Sequence, residues 1–134
     1  MSRKWLNIST LFWGAVLVLV LALSVPGASG HAGQDDPIEL RTVVGCLASD
    51  TDSWTLDRAT EGEPTDRAFT SEDEIEGSRQ RALGSLTYRL LGVGEFGVDA
   101  HDGHKVQVKG LRLNIDGELR LTVTSFQHLS PDCQ

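Results

Sequence analysis

Residues 99–110, DAHDGHKVQVKG, hold two histidines three apart, His101 and His104, with Asp99 and Asp102 beside them and Gly103 between. Imidazole is the commonest protein ligand for zinc, copper and nickel, and an i, i+3 pair on a helix shares one face. The two aspartates could add oxygen donors. A complete site needs a third and fourth ligand, and among the histidines only His31 and His128 remain. His31 carries a separate possibility. As a mature N-terminus, its α-amine and imidazole can chelate Cu(II) in a square plane, with another histidine completing the site.

The same residues also read as a corner. Gly103 supplies the left-handed residue that ends a helical segment. His101 then sits on the last turn, where a partly positive ring suits the helix dipole, and His104 opens a strand. The residues favour the corner. The alternative is zinc or copper at His101, His104, His128 and His31, and no other cofactor is implied.

Other chemistries lack their residues. Asp50 and Asp52, with Glu61 further on, suggest a calcium loop, but Trp54 and Thr55 stand where a ligand and a glycine are needed. Ser85 follows Gly84 without a G-x-S-x-G frame. The acidic pairs lie in a polar stretch where carboxylates stay solvated. No catalytic residue is expected, and the chain reads as a non-enzyme.

The amino-terminal end addresses the compartment. Arg3 and Lys4 precede LFWGAVLVLVLALSV, an uncharged run from Leu11 to Val25, and Pro26 to Ala32 then supply a break and small residues. This is the order of a secretory signal peptide over residues 1–30, with cleavage after Gly30 or after Ala32. The alternative is an uncleaved anchor, since counting from Trp5 gives about 20 mostly apolar residues. The Pro-Gly break and the short apolar core favour cleavage. The expected location is secreted or periplasmic, with membrane contact only through the signal peptide before its removal.

Both cysteines, Cys46 and Cys133, survive cleavage, and an even pair in an oxidising compartment reads as one disulfide. Closing so long a loop is worth about 4–5 kcal/mol on the chain-entropy model. The alternatives are two free thiols or half a metal site. The mature chain carries ten basic and nineteen acidic residues, a charge of −9. That balance repels phosphate backbones and anionic lipid surfaces. The aromatics left after export are Trp54, Phe69, Tyr88, Phe96 and Phe126, most at inward strand positions or beside a helical plug. Nucleic acid is therefore rejected as a partner.

The elements that must position these residues are strands. After a polar lead-in over 31–38, one domain is expected over 39–134. In ELRTVVGCLA the even positions Leu40, Val44, Cys46 and Ala48 mark an inner face, blurred by Val43 and Leu47. SWTLDRA alternates with Trp54 and Leu56 on one side. The stretch 60–81 holds seven acids, two glycines and a proline. It reads as a surface loop with one solvated helical turn capped by Ser71, adding little to the core. SLTYRLLGV places Leu86, Tyr88 and Leu90 on one face, and Phe96 and Ala100 mark a helical turn. In KVQVKGLRLNI the apolar residues are even up to Val108, then odd at Leu111, Leu113 and Ile115, which predicts a bulge or bend at Gly110. Asp116-Gly117 is a hairpin turn, and GELRLTVTSF turns Leu119, Leu121 and Val123 inward. Five strands, the fourth strongly bent, with a helical turn between the third and fourth, predict an all-β fold: a small five-stranded OB-fold-like barrel.

Val44-Gly45-Cys46-Leu47, Tyr88-Arg89-Leu90, His101-Asp102-Gly103-His104-Lys105-Val106 with Val108 and Gly110, Leu121-Thr122-Val123-Thr124-Ser125 and the late Cys133 together resemble a group of small exported bacterial OB-fold-like proteins. The resemblance spans Thr42 to Cys133. It departs in the acidic stretch from Glu61 to Glu76 and in the connection from Asn114 to Glu118. It implies the fold and the export, and it brings no activity. The expected function is a non-catalytic binding or structural module of the cell envelope, whose partner is an envelope protein or a small ligand. Binding of zinc or copper through histidines is the alternative.

Overall fold

The structure is a computed structural model that describes residues 37–134; the expected signal peptide over residues 1–30 and His31 lie outside the described residues. No helix among the described residues is long and apolar enough to cross a membrane. The chain runs β1 (Glu39–Asp50), β2 (Ser53–Ala59), β3 (Glu63–Pro64), α1 (Glu72–Arg79), β4 (Leu86–Leu91), a 3-10 turn (Val98–His101), β5 (Lys105–Ile115) and β6 (Glu118–Ser130). Five of the six strands close a ring. β1 pairs with β2, β2 with β4, β6 with β5 and β5 with β1, all antiparallel. The ring closes where β4 runs parallel to β6, with Leu90 opposite Leu121. The two-residue β3 pairs with Arg41 and Thr42 of β1 outside that ring.

The inner residues are those that lose their water together. Val43, Leu47, Leu56, Tyr88, Leu90, Val106, Val108, Leu121 and Val123 form one buried cluster, with Trp54 and Phe96 packed against it. Tyr88 points its hydroxyl at the Glu61 carbonyl oxygen, 2.7 Å away, so the largest fully buried side chain keeps a hydrogen-bond partner. Cys46 and Cys133 are disulfide-bonded, their Cα atoms 5.7 Å apart, an arrangement compatible with an oxidising compartment. Asp116 and Gly117 both have positive φ, as the tight hairpin between β5 and β6 requires.

Three expectations are corrected. First, the inner face of β1 is the odd one. Val43 and Leu47 join the core, while Val44 and Cys46 are buried on the opposite side. Gly45 lies between them on the inner face, where an added Cβ would meet Leu56 Cγ at 2.7 Å. With both faces of β1 covered, alternation carried no information about which pointed inward.

Second, β5 keeps one phase throughout. Val106 and Val108 face the core, and Leu111 and Ile115 share the outer face of Lys105 and Lys109, about two-fifths exposed. The extra residues sit on the partner strand, where the β5–β6 register shifts between Lys109 and Gly110 and again between Lys105 and Val106. Gly110 is still the crossing point. A Cβ there would lie far inside contact distance of the Thr122 carbonyl oxygen.

Third, the acidic stretch is a structured cover rather than a loose loop. α1 is eight residues long, and the Glu74 carboxylate accepts from the Ser71 backbone N–H at 2.8 Å, closing its first turn. The segment is fastened to the outer face of β5 by three successive outward side chains. Lys105 Nζ donates to the carbonyls of Arg79 and Arg81 at 2.9 and 2.7 Å, completing the carboxyl end of the helix. Gln107 Nε2 donates to Thr70 Oγ1 at 3.0 Å. Lys109 Nζ donates to the Phe69 carbonyl and to Glu74 Oε1, both at 2.8 Å. The polar face of KVQVK is thus buried, because an unpaired lysine could not be.

Candidate metal centre

The corner after the 3-10 turn is built as the local sequence dictates. Gly103 adopts φ 79°, and the His104 N–H donates back to the His101 carbonyl at 3.0 Å. Two long-range bonds tie the corner to β1: Gly103 N–H to the Leu47 carbonyl at 2.8 Å, and Leu47 N–H to the His104 carbonyl at 2.9 Å. Asp102 adds a third tie. Its carboxylate accepts from the backbone N–H of Ser49 at 3.1 Å and from the Ser49 hydroxyl at 2.8 Å. Asp102 is therefore occupied as a strut and does not join the histidines.

That corner turns His101 and His104 toward each other, with Nδ1 to Nδ1 3.3 Å. β6 brings the third ring. His128 stacks on His101 with centroids 4.8 Å apart and an interplanar angle of 21°, and lies 4.9 Å from the His104 ring. Phe126, also on β6, stands 5.8 Å from the His101 ring on the core side. Each of the three histidines offers one ring nitrogen such that all three lie within 4.8 Å of one another. His101 and His104 are half-buried and His128 is exposed, so the cluster opens to solvent on the β6 side.

The spacing suits a tetrahedral ion. With metal–nitrogen bonds of about 2.0–2.1 Å, two ligands of a tetrahedron stand about 3.3–3.4 Å apart. The His101–His104 pair already has that separation. The three ring nitrogens lie within 4.8 Å of one another, so bringing all three to that edge length takes a closure of at most about 1.5 Å. Three histidines leave a fourth position for water.

The surroundings of His128 favour its neutral ring. The His128 ring is held below its ordinary pKa, first by desolvation where it packs, then by the neighbouring His101 and His104 rings and by Arg79, against an opposing hydrogen bond with the Ser130 backbone. A lowered value leaves this imidazole neutral, the form that binds a metal, further toward acid pH.

Of the four histidines in the sequence expectation, the fold gathers His101, His104 and His128. Asp99 lies on the same turn and is exposed, outside this cluster. The corner and metal readings turn out to be compatible, since the corner is what aims the two rings at one point. No protein-family model, curated protein or solved structure matches this chain.

Proposed function

We propose that this chain is an exported, OB-fold-like barrel module of the cell envelope that binds a divalent transition metal, zinc or copper, without catalysing a reaction. The observation that carries this reading is the approach of three imidazoles from two separate parts of the chain, two of them at the ligand spacing of a tetrahedral ion. The five-stranded ring, its parallel closure between β4 and β6 and the helical turn before β5 support the OB-fold part. The Cys46–Cys133 bond supports export. Softness of the donors narrows the metal class: three imidazoles suit zinc and copper and are poor ligands for magnesium or calcium.

The test is thermal unfolding of the purified protein with zinc, copper, magnesium or calcium. A ligand at 100 times its Kd stabilises the folded state by about 2.7 kcal/mol. Zinc or copper should raise the melting temperature, and magnesium and calcium should not. The His101→Ala and His128→Ala variants should lose the response. An unmoved transition with both zinc and copper, or an unchanged response in the variants, removes the metal reading.

A further inference from the structure

The Cys46–Cys133 bond has an unusual neighbour. Arg58 Nη2 lies 3.0 Å from Cys46 Sγ, and it also donates to the Cys133 carbonyl at 2.6 Å. Arg58 reaches this place from a costly backbone. Its φ is +46°, in the left-handed region that non-glycine residues seldom occupy, at the irregularity where the β2–β4 register shifts between Leu56 and Ala59. An arginine held there, with its guanidinium against one sulfur of the pair, is more than a packing residue would require.

The two sulfurs are placed unequally. Cys46 is in mid-strand on β1 and only 7% exposed, whereas Cys133, beyond the end of β6, is only partly buried. A thiolate arriving from solvent meets Cys133 first. The sulfur that must then leave is Cys46, the one beside the guanidinium. A cation next to a thiol favours its thiolate, and a more acidic thiol leaves faster in disulfide exchange.

We infer that Cys46–Cys133 is an exchange site for an external thiol, small or protein-borne, with Cys133 the sulfur attacked and Arg58 the positioning cation for the departing Cys46 thiolate. The step balances without a further reactant. The incoming thiolate forms a bond to Cys133 Sγ, the Cys46–Cys133 bond breaks, and its electron pair leaves on Cys46 Sγ beside Arg58. A second thiolate attacks the mixed disulfide, and Cys133 departs as its thiolate. The two external thiols are oxidised to their disulfide and the protein disulfide is reduced to two thiols.

The experiment mixes the full, oxidised protein with limiting reduced glutathione, quenches with acid and locates the adduct by peptide mass spectrometry. Glutathione on Cys133 is expected; glutathione on Cys46 overturns the assignment. The rate of reduction is then compared between the wild type, Arg58→Asn, which tolerates positive φ, and Arg58→Lys, which keeps a charge. Arg58→Asn should slow the reaction about 3-fold or more, since a less acidic leaving thiol departs more slowly, and Arg58→Lys should fall between. Equal rates in all three proteins overturn the role of Arg58. Should Arg58→Asn fail to fold, Arg58→Lys and the adduct position in the wild type decide the matter. None of these readouts depends on a metal, so their failure leaves the metal-binding proposal standing and the reverse also holds.

Discussion

Lys109 Nζ, with a side chain fully buried on β5, donates to Glu74 Oε1 on α1 at 2.8 Å across 35 residues of sequence. The lysine, together with the Ser71 backbone and hydroxyl, pulls the Glu74 carboxyl down to about 2 from an ordinary 4.5, against the opposing effect of burial. A carboxylate with a depressed folded-state pKa stabilises the fold at pH values above its unfolded pKa. That contribution is lost as pH falls from about 4.5 toward about 2. Urea midpoints of the wild type should therefore drop through this window. In Glu74→Gln the decline should be shallower, and the two proteins should converge at the acid end.

Removing the carboxylate at neutral pH isolates the cost of leaving Lys109 buried. Water reaches Glu74, whose side chain is a quarter exposed, so the loss is smaller than for a sealed pair. Glu74→Ala should cost about 1.5–3 kcal/mol, the range for hydrogen bonds to charged groups. Chemical denaturation measures it. A change within about 0.5 kcal/mol, typical of a plain surface substitution, would show that the pair holds nothing.

Lys105 does a different job on the same face, donating to the carbonyl of Arg79, the last residue of α1, and to that of Arg81 just beyond it. Lys105→Met keeps the aliphatic stem and removes both bonds. The amides of α1 should then exchange with deuterium faster while those of β5 and β6 keep their protection. Uniform acceleration across the sheet would instead mark a global loss of stability.

Gly110→Ala tests the crossing of β5 over β6. The new methyl would collide with the Thr122 carbonyl and crowd Leu121 Cγ at 2.8 Å, so one strand must shift. Overpacking of this kind costs about 1–3 kcal/mol. Gly77→Ala, where a Cβ meets nothing within 4 Å, is the matched control and should cost nothing by clash.

Metal affinity should weaken as pH falls through the histidine range near 6, since only neutral imidazole binds. The sign follows from competition between protons and metal for the same nitrogens. Calorimetry at a series of pH values checks the slope. Affinity flat between pH 5 and 8 would mean that the histidines are not the ligands.

Much of this protein can be read along the chain because strand alternation and turn chemistry act over a few residues. The faces of β4 and of Leu119, Leu121 and Val123 on β6, the left-handed pair Asp116-Gly117, the corner at Gly103 and the capping Ser71 follow from such local rules. The expectation that Cys46 and Cys133 pair came instead from the even cysteine count of a chain read as exported, and only the ring brings the two together. Tertiary structure alone decided three things. It chose the odd face of β1 as the inner one, because both faces are covered and alternation then has no solvent side to mark. It buried the polar side of KVQVK under the acidic segment, because Lys105 and Lys109 found carbonyl and carboxylate partners tens of residues away. It also set His128 beside His101 and His104, a proximity created by β5–β6 pairing, which no spacing along the sequence encodes.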